Sequence, residues 1–136
     1  MRSPLFLFLL RENRYEKRYL LLIYASLIAF LSLRSSSGLQ DWGDILNLDK
    51  LQHFMAYSCF SLLAAVSVRH WWQRGVAALA ILLFSGGIEL AQAYVGRESS
   101  WFDLLANLSG IILGLLTYKL YCVYRSRNVK SIYSND

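Results

Sequence analysis

The residues able to do chemistry fall in two stretches. "DKLQHFMAY" offers Asp49, Lys50, His53 and Tyr57, and "GGIELAQAYVGRESSWFDLLANLSGIILG", residues 86–114, offers Glu89, Gln92, Arg97, Ser99, Asp103 and Asn107. His53, with Asp49 one helical turn before it, has the makings of a general base and its acidic orienter. Glu89 sits in an apolar wall, where a carboxyl suits a general acid or a proton carrier. Arg97 and Lys50 could meet a phosphate or carboxylate and stabilise an anionic transition state. Tyr57, Gln92 and Asn107 could orient the rest of a ligand. A charged group at the centre of hydrocarbon costs about 3 kcal/mol on insertion scales, so residues of this kind are functional candidates by default.

Plainer roles compete for each of them. Asp49 could cap a helix that begins there, and Asp103 could cap another or pair with Arg97. Lys50 could snorkel to the membrane surface, and Glu89 paired with a cation would be structural glue. Gln92 and Asn107 are residues that often bond one helix to the next. A metal site built from His53, Glu89 and Asp103 has no local spacing such as HExxH behind it, and the other histidine, His70, belongs to the opposite end of the molecule. No metal and no cofactor is therefore expected. A serine hydrolase with Ser99 as nucleophile would lack the G-x-S-x-G elbow.

These residues must be positioned by something, and composition says what. Apolar residues make up 56% of the 136 residues and charged residues 17%, in several long uncharged runs. A soluble core of this size could not hide that much apolar surface, so the chain reads as one all-α, polytopic membrane domain. Four spans are expected: Tyr19–Leu33, about Asp49–Val68, about Gly75–Tyr94 and about Trp101–Tyr121. Residues 1–18, with a six-residue apolar run and then "RENRYEKR", read as an interfacial or solvated cytoplasmic segment; residues 19–121 form the membrane domain, and 122–136 a basic tail with a disordered tip. The segment "RHWWQR" reads as a tight connection at the membrane edge. Cys59 and Cys122 differ too much in depth for a disulfide and read as packing residues.

The net charge of +5 follows topology and not nucleic acid, because the basic residues flank apolar runs. Arg2, Arg11, Arg14, Lys17 and Arg18 precede the first span, Arg69 and Arg74 lie between the second and third, and Lys119, Arg125, Arg127 and Lys130 follow the fourth. The opposite side holds Arg34, Lys50 and Arg97 among Asp41, Asp44, Asp49 and Glu98. The positive-inside rule then puts both termini in the cytoplasm. Asp49, Lys50, His53 and Tyr57 fall within an arc of roughly 100° on the outer end of span two. Asp103 and Asn107, four apart, share a face with Gly110 and Gly114, whose lack of a side chain lets another helix approach.

The pattern of Asp49, Lys50, His53, Tyr57, Glu89, Gln92, Arg97, Asp103, Asn107, Gly110 and Gly114 resembles the VanZ-like family, over about residues 49–114. The resemblance implies a small multi-span protein of the bacterial cytoplasmic membrane, linked in some members to teicoplanin resistance. It carries no settled biochemical activity. Three readings follow from the residues. In the first, an outward-facing intramembrane pocket binds or handles a lipid or lipid-linked cell-wall precursor, with Asp49, Lys50, Tyr57, Gln92, Arg97 and Asn107 as its binding groups. In the second, the chain is a membrane-embedded enzyme with His53 and Glu89 or Asp103 as acid–base pair. In the third, it is a structural subunit, as a homo-oligomer or beside a larger membrane partner. No residue pattern decides between catalysis and binding.

Overall fold

The computed structural model describes residues 14–33, 48–95 and 100–133. They form four helices: α1 (Arg14–Leu33), α2 (Leu48–Ser67), α3 (Trp71–Tyr94) and α4 (Trp101–Tyr133). The chain is all-α and the helices pack as one bundle, in which α2 and α4 share by far the largest interface. The parts of the sequence reading that rest on residues 1–13, 34–47, 96–99 and 134–136, the tip of the tail among them, lie outside the described residues.

Each helix begins where a local signal allows. Ser100 Oγ accepts the Phe102 N–H at 3.2 Å, and its carbonyl accepts from Asp103 and Leu104, so Ser100 and not Asp103 caps α4. Asp49 falls within the first turn of α2. At the start of α3, Gln73 Oε1 accepts the backbone N–H groups of Arg69 and His70, each at 3.2 Å. That reciprocal reach from the third helical residue starts the helix at Trp71, so "RHWWQR" is largely the first turn of α3 and not a connection. α1 likewise starts five residues before the expected span, and α4 stays helical twelve residues past Tyr121.

The middle of the bundle is apolar. Ile28 of α1, Tyr57, Phe60 and Ala64 of α2, Ile81 and Ile88 of α3 and Ile111 of α4 form its core. Phe60 is the hub, with ring centroids 5.6 Å from Tyr24 and 5.9 Å from Phe84. The α2–α4 seam is closer than side chains would permit. A Cβ on Gly110 would strike the Phe54 carbonyl, and one on Gly114 would lie 2.5 Å from the Ser58 carbonyl. Ser61 exploits that approach by donating to the Ile111 carbonyl at 2.9 Å. Cys59 is an exposed thiol, so it does not pack in the core, and Cys122 is a half-buried one.

Among the described residues two helices are long and apolar enough to cross a membrane, α3 over its full length and α4 over Trp101–Arg127. Only 28% and 22% of their most apolar windows is buried inside the bundle. The rest faces outward, the reverse of a core helix in a water-soluble protein. α1 and α2, at 20 residues each, have the length of a span but fall short by composition.

Candidate functional site

The chemistry-bearing residues meet where the N-terminal turns of α2 and α4 approach the C-terminal half of α3. Geometry there is set by Asn107, a residue 1% exposed at the second turn of α4. Its Nδ2 donates to Ser85 Oγ of α3 at 2.7 Å. The amide is thereby oriented, and its Oδ1 faces His53 Nδ1 of α2 at 3.1 Å. An amide oxygen only accepts, so this bond is made by a proton on His53 Nδ1, and Nε2 is the ring nitrogen turned to the other side.

His53 Nε2 points toward acid. Asp49 Oδ2, one turn earlier on α2, lies 3.9 Å away, too far for a hydrogen bond. Asp103, buried on α4, completes a set of three: one ligand atom from each of Asp49, His53 and Asp103 lies within 4.8 Å of the others. Glu89 of α3 is buried beside them and interacts electrostatically with His53, Asp103 and Asp49. Neither of its carboxyl oxygens accepts a hydrogen bond in good geometry among the described residues. The Ser100 backbone faces this carboxyl without closing such a bond. One imidazole and three carboxyls therefore share a site at which α2, α3 and α4 each contribute.

Other residues singled out in the sequence sit elsewhere. Gln92 is buried, but its Nε2 donates to the Ser32 carbonyl at 2.9 Å and ties α3 to α1. Tyr57 is 1% exposed and belongs to the core beneath the site. Lys50 is half-buried at the start of α2. Arg97 and Ser99 lie outside the described residues. Ser85, fully buried and central to the network, carried no signal in the sequence, because a lone serine in an apolar run is unremarkable there.

A second buried polar cluster occupies the opposite end. Arg74 lies between the rings of Trp71 and Tyr118, its guanidinium carbon 4.8 and 4.5 Å from their centroids. It donates to the carbonyls of Ala65 and Val68, both at 3.1 Å, and to Tyr118 Oη at 2.8 Å. An arginine expected at the membrane edge is thus a buried fastener joining α2, α3 and α4. Near it, a groove of about 560 Å³ is lined by Trp71, Lys119, Cys122, Val123 and Ser126.

The family profile described as VanZ/LLP1 matches residues 5–122. The chain belongs to the VanZ/LLP1 family. The match spans all four helices except the end of α4, well beyond the stretch that first suggested it. No curated protein and no solved structure shows a significant match to the chain. Membership and the two long apolar helices together make this VanZ/LLP1 member a membrane protein. In it the His53–Asn107–Ser85 chain joins α2, α4 and α3, the helices that also carry the carboxyls.

Proposed function

We propose that this VanZ/LLP1 protein is a membrane-embedded enzyme working by acid–base chemistry, with His53 as the proton acceptor and Glu89 or Asp103 as its acidic counterpart. One observation carries the reading: Asn107, anchored on Ser85, holds His53 Nδ1 and turns Nε2 toward a group of carboxyls. A binding pocket needs no imidazole so fixed; a general base does. Asp49 at 3.9 Å would stabilise the imidazolium formed when Nε2 takes a proton. Arg97, three residues before the Ser100 cap, is the proposed partner of an anionic transition state.

The substrate we propose is a lipid or lipid-linked envelope component, handled at headgroup depth. Tyr94, Trp101 and Phe102, at the helix ends nearest the site, are 91%, 82% and 67% exposed. Aromatic residues so placed favour the interface between headgroups and hydrocarbon. The proposed topology has four spans and both termini in the cytoplasm of a bacterial cell. The uneven distribution of lysine and arginine supports it, with the site proposed on the outer face. Teicoplanin susceptibility is the cellular readout.

Glu89→Gln tests the reading, since it keeps shape and removes ionisation. The variant is expected to fold, to retain lipid on purification as seen by native mass spectrometry, and to lose the phenotype. Full phenotype in Glu89→Gln would sink acid–base use of this residue. Loss of copurified lipid together with phenotype would shift the assignment to the pocket that binds without chemistry.

A further inference from the structure

The carboxyl-rich site raises an electrostatic question that proton transfer alone leaves unanswered. Asp49, Glu89 and Asp103 bring up to three negative charges into one place, and two of these residues are buried. Asn107 holds His53 Nδ1 on the far side, so Nε2 is the ring nitrogen that faces the carboxyls. Nε2 stands 3.9 Å from Asp49 Oδ2, too far for a hydrogen bond. A divalent cation seated among these groups offsets the carboxylate charge and takes Nε2 as a ligand.

We propose that Asp49, His53 and Asp103 bind one divalent transition-metal ion, of the class that includes Zn²⁺ and Mn²⁺. The donor set of one imidazole nitrogen and two carboxylate oxygens suits such ions. Ligand atoms held at about 2.1 Å in tetrahedral geometry stand about 3.4 Å apart. The three donor atoms, already within 4.8 Å of one another, need a closure of about an ångström, which side-chain rotation supplies. The second shell is in place. A histidine that ligates through one nitrogen characteristically donates its other N–H to a fixed acceptor, as His53 Nδ1 does to Asn107, itself anchored on Ser85.

Glu89 is an independent pointer to the same ligand. It is more than nine-tenths buried, neither carboxyl oxygen closes a hydrogen bond in good geometry among the described residues, and it couples electrostatically to all three proposed ligands. A carboxylate in that position fits either a fourth ligand or a base beside the ion. The inference rests on the proposed function in treating this cluster as the working site. It changes what the His53 lone pair holds, from a proton to a metal, and leaves general base duty to Glu89.

The test uses the full chain purified into lipid nanodiscs, stripped with a chelator, reloaded with Zn²⁺ or Mn²⁺ and desalted before elemental analysis. About one equivalent per chain is expected, with His53→Ala, Asp49→Asn and Asp103→Asn each losing it. Asn107→Ala should weaken apparent affinity 10- to 100-fold, because it removes only the outer support. Retention of as much metal by His53→Ala as by the parent overturns the site. Should a variant fail to fold, the parent still decides: its unfolding temperature must rise with Zn²⁺ or Mn²⁺, and no rise with either overturns the proposal. If Asp49→Asn loses the metal and cells carrying it keep a full, Glu89-dependent phenotype, the metal assignment ends and the acid–base reading is left standing. One equivalent of metal with no phenotype change in Glu89→Gln does the opposite.

Discussion

Replacing Asn107 by alanine is the sharpest probe of how the site is held. The substitution removes the bonds to His53 Nδ1 and Ser85 Oγ, and Asn107 is 1% exposed, so water cannot replace them. Interhelical hydrogen bonds between membrane helices average about 0.6 kcal/mol in mutant cycles, so two of them contribute about 1 kcal/mol. Leaving a buried imidazole N–H without its acceptor adds roughly 1–3 kcal/mol. The sum is about 3 kcal/mol, or two orders of magnitude in the folded-to-unfolded ratio. Ser85→Ala should cost only about 1 kcal/mol, since His53 keeps its partner. Unfolding in mixed micelles, followed through the four tryptophans, measures both. The double variant should be less destabilised than the sum, because Asn107 and Ser85 share one bond. A cost below about 0.5 kcal/mol for Asn107→Ala, or strict additivity, would refute the network.

Gly110→Ala and Gly114→Ala should each destabilise by roughly 1–3 kcal/mol, because the added methyl meets α2 backbone that cannot swing away. Gly87→Ala has open space and should be neutral or stabilising by up to about 1 kcal/mol in the same unfolding assay. Arg74→Ala should cost about 3 kcal/mol through lost charged hydrogen bonds. Arg74→Lys should restore less than half of that, since an ammonium cannot reach both the Trp71 and Tyr118 rings and donate in the same fork. In a background with both cysteines changed to serine, an impermeant thiol reagent on intact cells should label Ser99→Cys and spare Arg127→Cys. The reverse pattern would overturn the proposed orientation.

The polar positions of α2 and α4 were legible because helical spacing stacks Asp49 with His53, and Asp103 with Asn107, Gly110 and Gly114. Residues four apart share a face whatever the tertiary structure. Metal-ligand spacing was harder to see, since its local part is only the Asp49–His53 pair and the third donor comes from another helix. Arg74 was misplaced for a physical reason. Arginine beside tryptophan has the composition of a membrane edge, and only the Gln73 cap, by starting α3 at Trp71, turns that side chain inward. Gln92 was legible as a polar residue in an apolar helix, but its choice of the Ser32 carbonyl over the His53 network depends on where α1 packs. Ser85 was invisible because its importance lies in its neighbours.

The glycine seam between α2 and α4 bears on how the chain is made. In the proposed four-span topology α2 reaches the membrane early, yet the partners of its most demanding groups arrive late. His53 waits for Asn107, Ser61 for Ile111, and the backbone at Phe54 and Ser58 for Gly110 and Gly114. Fifty-odd residues must be synthesised between demand and supply, with α3 already threaded in between. A ribosome that stalls before α4 therefore leaves a chain whose second helix is poorly suited to lipid and has nothing to lean on. Such a chain carries its own mark of incompleteness, an exposed polar stripe that membrane proteases can read, and the finished protein hides that mark by the act of closing the seam.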